Sequence, residues 1–89
     1  MKIIENKNNL LISKVDDIIY FTSYKITICK YNTITKQLKI NAIYWCYSQT
    51  TLKQLKHFIN NYTTFEYQNK KQFENEILNN NNIEEYFTM

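Results

Sequence analysis

The sequence predicts an α+β domain, in which an antiparallel meander of four to five strands is followed by two helices packed on or beside the sheet. In the first half of the chain, short runs of β-branched and aromatic residues alternate with turn residues. From Leu52 onward the period changes, and Leu52, Leu55 and Phe58 follow the spacing of one helix face. The links between the predicted strands are short, which favours antiparallel neighbours.

Five strands are predicted, with turns between them that lack glycine. The strands cover residues 1–5, 10–15, 18–23, 26–31 and 37–43. Because the chain contains no Gly, a turn that needs a positive φ must use another tolerant residue, mainly Asn or Asp. Asn8-Asn9, Asp16-Asp17 and Asn32 are therefore interpreted as turn residues. The strand at 18–23 is apolar on both faces, so we expect either a covered central strand or an exposed aromatic face.

The first helix is predicted from about Thr51 to Tyr62. Thr51 is the expected N-cap, and Gln54 stands three residues later, which completes a capping box. Leu55 and Phe58 belong to the apolar stripe, which we expect to pack on the sheet.

The second helix is predicted from about Lys70 to Asn79, with Asn69 as its N-cap. Phe73 and Ile77 lie four residues apart and give it an apolar face, which Leu78 is a candidate to join. Two interpretations of residues 83–89 stay open, a flexible tail or a segment docked on the domain. The 89 residues are expected to form one domain, because a chain of this length holds a single core.

Charge is distributed unevenly along the chain. Residues 1–62 carry nine Lys and three acidic residues, a net charge of +6, whereas residues 63–89 carry two Lys and five acidic residues, a net charge of −3. The basic part suits an acidic protein partner or nucleic acid. Asn, Ile, Lys and Tyr, which have AT-rich codons, are abundant, whereas Arg, Gly and Pro, which have GC-rich codons, are absent. This composition is typical of a protein encoded by an AT-rich genome.

The residues that carry enzyme chemistry are too few and too scattered for a catalytic site. The one His and the two Cys lack the number and spacing of a zinc site. Ser48 or Cys46 with His57 is the only candidate pair of nucleophile and base, and His57 lies more than two helical turns beyond Ser48. Loops that cradle phosphate need Gly. We therefore expect no enzyme activity, no catalytic residue, no metal and no cofactor.

Cellular location is predicted from what the sequence lacks. Residues 5–9 interrupt any apolar run at the N-terminus, and no segment approaches the ~20 apolar residues of a membrane span. Cys29 and Cys46 fit a reducing environment as unpaired residues. We expect a cytoplasmic protein that does not bind membranes.

Aromatic and lysine side chains are the candidate binding residues. The junction between sheet and helix is predicted to present an exposed contact patch, and the sheet adds further Tyr and Lys side chains. The patch consists of Trp45, Tyr47, Lys53, Lys56 and His57, and the sheet contributes Tyr24, Tyr31 and Lys39. Exposed aromatic residues are common anchors of protein interfaces, which predicts protein binding and is compatible with a homodimer. The alternative is nucleic-acid binding, in which Tyr stacks on bases and Lys neutralises phosphates, although the absence of Arg weakens it.

The sequence also resembles a family of short phage- and prophage-encoded proteins known as a domain of unknown function. The resemblance covers about residues 20–60, and a weaker resemblance extends over residues 65–77. It is carried by Ser23-Tyr24, the strands at 26–31 and 38–40, Trp45, Tyr47-Ser48, Thr50-Thr51, Lys53, Leu55 and Phe58. The missing Gly and Pro in the turns, and residues 54–56, depart from the family pattern.

The resemblance implies an origin in a mobile element, but it brings no activity and no functional residues. Small phage proteins often inhibit host proteins, including defence nucleases. The sequence therefore predicts a protein-binding module, with inhibition of a host or defence-system protein as the expected role and nucleic-acid binding as the alternative.

Overall fold

The computed structural model describes residues 1–87, which form one six-stranded sheet and two helices. The strands are β1 (Lys2–Lys7), β2 (Leu10–Val15), β3 (Ile18–Ser23), β4 (Ile26–Asn32), β5 (Leu38–Asn41) and β6 (Ile83–Tyr86), and the helices are α1 (Gln49–Tyr62) and α2 (Lys70–Asn79). The strands lie side by side in chain order. The pairs from β1 to β5 are antiparallel and β5 pairs with β6 in parallel. The predicted α+β class, with a meander followed by two helices, is confirmed.

Turns between the strands use left-handed backbone without glycine. Asn8 and Asn9 both have positive φ, at 52° and 64°, as a two-residue type I′ hairpin turn requires. Tyr24 and Lys25 adopt the same kind of backbone between β3 and β4, with φ of 49° and 68°. Asp16 contributes a further positive φ of 54° after β2. Asn therefore fills some of these positions, as predicted, but Tyr24, Lys25 and Lys36, the last with φ of 61° between β4 and β5, fill three that normally take Asn or Gly.

One face of the sheet carries the core and the helices pack against it. Across neighbouring strands, Ile12, Phe21, Cys29 and Ile40 stand opposite one another on this face. All four are completely buried. A bulge in β4 turns Ile28 and Cys29 to the same side, because residues 28 and 29 together oppose the β3 segment at Phe21 and Thr22. We call the opposite side, which no helix covers, the open sheet face.

Helix α1 begins earlier than predicted. Ser48, rather than Thr51, is its N-cap, and the Ser48 hydroxyl accepts a hydrogen bond from the Thr51 amide. Thr51 is buried and its hydroxyl lies 3.0 Å from that of Ser48. The apolar stripe is confirmed: Leu55 and Phe58 are buried, and the Phe58 ring stacks on Phe21 with 5.4 Å between centroids.

Helix α2 has the predicted bounds and cap. The Asn69 side chain accepts a hydrogen bond from the Gln72 amide at 2.9 Å. Phe73 and Ile77 are buried as expected, but Leu78 is 74% exposed and does not join them. Within residues 1–87, neither helix has the length and apolar character needed to cross a membrane.

Several strands differ from their predicted bounds: β1 runs to Lys7 rather than residue 5, β4 runs one residue further to Asn32, and two further segments differ more. β5 ends at Asn41, because the Asn41 carboxamide accepts hydrogen bonds from the amides of Ile43 and Tyr44 and so starts a turn. Residues 83–86 form β6. The sequence had left two interpretations open for this segment, a flexible tail or a segment docked on the domain. The Leu38 and Ala42 amides donate to carbonyls at residues 82 and 86, so this segment is hydrogen-bonded to β5 at both ends.

Candidate functional site

Three tyrosines surround a small apolar recess at one end of the sheet, which we call the tyrosine notch. Tyr24 is 49% exposed and Tyr47 is 72% exposed. The Tyr44 ring lies 5.7 Å from that of Tyr47. The recess has a volume of about 30 Å³ and is lined by Ser23, Tyr24, Ile26, Ile28, Tyr44, Tyr47 and Thr51. Tyr24 and Tyr47, both predicted site residues, are thus brought to the same place.

The notch is held in position by one glutamine of α1. Gln54 accepts a hydrogen bond from the Ser23 hydroxyl at 2.6 Å and donates to the Asn8 carbonyl at 3.1 Å. The amide of Tyr24 donates to the Asn9 carbonyl at 3.0 Å. Gln54 therefore ties α1 to the two hairpin turns at this end of the sheet, rather than completing the predicted capping box.

The solvent side of α1 is positively charged. Lys53, Lys56 and His57 are exposed, as predicted. No Asp or Glu occurs between Gln49 and Tyr62, so the helix itself supplies no carboxylate to neutralise the two lysines.

Two predicted site residues lie in the core, and their prediction as surface contacts is wrong. Trp45 is only 6% exposed, because its ring packs edge-on against Phe73 of α2 at 6.0 Å. Tyr31 is 2% exposed; its ring packs edge-on against Phe65, and its hydroxyl donates to the Thr64 hydroxyl. Both side chains hold the helices and the connector to the sheet.

The open sheet face carries a second set of polar and aromatic side chains. Tyr20, Lys30 and Lys39 stand opposite one another on β3, β4 and β5. They line a groove of about 310 Å³ together with Ile18, Asn32, Thr35 and Gln37. Of these residues only Lys39 was predicted as a site residue. The alternation of Ile18, Tyr20 and Thr22 in the sequence is the signal that places Tyr20 on this face.

Each lysine in the groove lies over a tyrosine ring. The Lys30 ammonium is 5.9 Å from the centroid of the Tyr20 ring, and the Lys39 ammonium is 5.0 Å from that of Tyr86. The adjacent Tyr86 hydroxyl is the main cause that raises the pKa of Lys39 above its ordinary value. Lys39 therefore remains fully charged at neutral pH.

A third cluster joins β1 to α1. Glu5 accepts hydrogen bonds from the Tyr62 hydroxyl and from Nε2 of His57, the latter at 2.7 Å. These two bonds, with that from Tyr62 the larger cause, lower the pKa of Glu5. Burial, followed by the bond to Glu5, raises the pKa of Tyr62 to about 12. His57 is thus exposed but already engaged with Glu5.

The two cysteines differ in their surroundings. Cys29 is completely buried, and burial raises the pKa of its thiol. Cys46 is partly exposed and packs against the edge of the core. Both are free thiols. Among residues 1–87, no group of three or more His, Cys, Asp or Glu side chains is arranged to hold a metal ion.

The fold and its surfaces define a small α+β domain with one helix-covered and one open sheet face. The chain belongs to the family of unknown function DUF8033, whose model matches residues 2–75. The match spans β1 to β5, α1 and the first part of α2, and it confirms the resemblance to a domain-of-unknown-function family. Comparison with curated proteins finds no match, and neither does comparison with solved structures.

Proposed function

We propose that this chain is a non-enzymatic protein-binding module that uses the tyrosine notch and the exposed lysines of α1 to bind an acidic surface of a partner protein. The resemblance to phage-encoded proteins favours a host protein, including a component of a defence system, as that partner. Covering a functional surface of such a protein would inhibit it.

The backbone of Tyr24 is the observation that carries this proposal. Its φ of 49° lies in the left-handed region, which costs an L-residue other than Asn, Asp or Gly roughly 1 kcal/mol. The chain is rich in Asn and uses Asn8-Asn9 in the equivalent turn between β1 and β2. A tyrosine in this position is therefore disfavoured by folding alone. Strained residues of this kind concentrate at functional sites, where the strain places a side chain.

The composition of the surface also favours a protein partner. Tyr24 and Tyr47 offer large exposed rings, and tyrosine is enriched among the residues that dominate binding energy. The recess between them is apolar and small, which suits a single aliphatic side chain of the partner. Lys53 and Lys56 are exposed on α1, the helix whose Thr51 lines the notch, so complementary charge requires carboxylates on the partner.

The experiment that tests this proposal is recovery of bound proteins from the source organism. Tagged wild-type protein is expressed there and compared with the variant Tyr24→Asn/Tyr47→Ser. A matched control, Leu78→Ser, alters an apolar residue that is 74% exposed on α2, away from the notch. We expect one protein to be enriched by the wild type and by Leu78→Ser, and lost with the double variant. The proposal fails if the notch variant retains the same protein or if no protein is enriched.

Binding strength then tests the role of charge. With the recovered partner purified, Lys53→Gln/Lys56→Gln should lower the association rate and weaken its dependence on ionic strength, because charges at the edge of an interface act mainly on the rate of encounter. Lys70→Gln/Lys71→Gln removes two charges from α2 and should have no such effect. Equal effects of the two double variants would rule out the α1 face as the contact.

A further inference from the structure

The open sheet face carries a row of side chains whose arrangement is unfavourable for the fold. Lys30 and Lys39 stand directly opposite each other on β4 and β5. Like charges in directly opposite positions of a sheet destabilise it. Among residues 1–87, no carboxylate lies within 4.0 Å of either ammonium. The two positive charges therefore face solvent together, as in a site for an anion.

One carboxylate, that of Glu84, offsets part of the charge of this pair. Glu84 stands opposite Lys39 on β6, so it lies on the far side of Lys39 from Lys30. Glu85, the next residue, alternates to the other face. An anion on the groove side of Lys39 would meet the two ammonium groups, with Glu84, the nearest carboxylate across the strands within residues 1–87, on the far side of Lys39.

Aromatic rings flank the two lysines. Tyr20 stands opposite Lys30 on β3, and Tyr86 lies beside Lys39 at the other side of the row. Both tyrosines are partly exposed. A cationic pair between two aromatic rings on an open sheet face matches the two recognition elements of single-stranded nucleic acid, which are its phosphates and the faces of its bases.

We propose that the open sheet face binds single-stranded nucleic acid, with two adjacent backbone phosphates, one on Lys30 and one on Lys39, and unpaired bases stacked on Tyr20 and Tyr86. Asn32, Thr35 and Gln37 line the same groove and offer donors and acceptors to base edges. A duplex hides the faces of its bases, so this site requires an unpaired strand. Ribose and deoxyribose strands share this chemistry, and direct comparison distinguishes them.

This site is separate from the tyrosine notch. Ile28 and Thr51 line the notch on the helix-covered side, whereas Lys30 and Lys39 lie on the open face. The inference therefore goes beyond the proposed protein binding and does not depend on it.

The test measures binding of purified protein to fluorescent 12-nucleotide strands of oligo-dT and oligo-U by anisotropy, over a range of salt concentrations. Contact with one phosphate by each of two lysines predicts that log K falls with log salt with a slope of about −1.4. Lys39→Gln should weaken binding and reduce this slope by about 0.7. Lys71→Gln, a matched loss of one exposed charge on α2, should change neither.

Two further variants separate stacking and charge from loss of folding. Tyr20→Leu keeps an apolar side chain on the strand and should weaken binding about 5- to 100-fold, because it removes a stacking platform. Glu84→Gln should tighten binding about two- to fivefold, since it removes a negative charge beside the phosphate site. Loss of folding is expected to weaken binding at this site, so a gain of affinity points to the removed charge.

Three results would overturn the proposal. One is the absence of binding to either strand at 20 mM salt. Another is a loss of affinity with Lys71→Gln as large as that with Lys39→Gln, which would indicate unspecific attraction. The third is equal or tighter binding of a 12-residue acidic peptide or of duplex DNA at the same salt. Preference for oligo-dT or for oligo-U would support the proposal and identify the sugar.

Discussion

Lys30 and Lys39 face each other across β4 and β5, and neither forms an ion pair with a carboxylate of residues 1–87. A sheet gains from opposite charges in such a pair and loses from like charges. The two lysines also lie over Tyr20 and Tyr86, which recovers part of this loss through the attraction of a cation to an aromatic ring. The arrangement leads to a prediction about stability that requires no ligand.

Reversing one of these charges should stabilise the fold. Lys30→Glu and Lys30→Gln both lose the contact with Tyr20, but only Lys30→Glu places an opposite charge against Lys39. We expect Lys30→Glu to be more stable than Lys30→Gln by about 0.2–1 kcal/mol. Urea denaturation at low salt measures the difference, and it should shrink at 1 M salt, where charges are screened. A salt-independent difference would show that charge is not its source.

Relief of the strained turn should separate stability from partner binding. Tyr24→Asn places a residue that tolerates positive φ at 49°, and the free energy of unfolding should rise by about 1 kcal/mol. Partner binding should fall because the exposed ring is removed. Tyr47→Ser removes an exposed ring without relief of strain, so its stability should stay within about 0.5 kcal/mol of the wild type. If Tyr24→Asn is less stable than the wild type, the packing of the Tyr24 ring stabilises the fold by more than the strained backbone of the turn destabilises it.

The cluster of Glu5, Tyr62 and His57 should make stability depend on pH in acid. The pKa of Glu5 is lowered in the folded state from an ordinary value of 4.5, so the folded protein binds this proton less tightly than the unfolded chain. Its contribution is therefore complete above pH 4.5 and is lost as pH falls through the lowered value. Glu5→Gln should cost about 1 kcal/mol at neutral pH.

The same variant loses its effect at low pH. The difference between wild type and Glu5→Gln should narrow as pH falls below 4.5, when the wild-type carboxyl becomes neutral. Glu74→Gln, a change at an exposed carboxylate of α2, serves as the control and should show no such trend. Thermal unfolding from pH 7 to pH 2 measures both, and a difference that stays constant over this range would contradict the assignment.

The apolar stripe of α1 is the main link between helix and sheet. Leu55 is completely buried, so Leu55→Ala should lower the free energy of unfolding by about 2–5 kcal/mol, through lost burial and the cavity left behind. Lys53→Ala, two residues earlier on the solvent side, should stay within about 0.5 kcal/mol. Chemical denaturation of both variants is the measurement. A comparable loss of unfolding free energy in both variants would show that Lys53, as well as Leu55, contributes to the stability of the fold.

Periodicity in the sequence was sufficient to predict most of the strands and both helices. β2, β3 and α2 have the predicted bounds, because their alternating or four-residue apolar spacing reflects burial directly. β6 was not predicted as a strand. It contains two consecutive glutamates and only one buried residue, Ile83, so its strand conformation comes from hydrogen bonds to β5 rather than from its own pattern.

The candidate site was harder to predict, since exposure depends on packing that the sequence does not display. Strict alternation from Ile26 and Ile28 turns Tyr31 outward, but the bulge at Ile28 and Cys29 shifts the phase and turns it inward. Trp45 lies between β5 and α1 where no period exists, and its burial is decided by Phe73, which is distant in the chain. Tyr24 and Tyr47 were correctly predicted as exposed because one lies in a turn and the other just before a helix.

The position of β6 also has a consequence for the order in which the molecule assembles. Each antiparallel pair joins segments that are neighbours in the chain, whereas Leu38 of β5 meets Ile83 only after both helices have been traversed. Loop closure over that distance costs more entropy than closure of a hairpin. We expect the meander and α1 to fold first and β6 to dock last and open first. Amide hydrogen exchange at Leu38 and Ala42, which donate to the β6 segment, should therefore be faster than within β3.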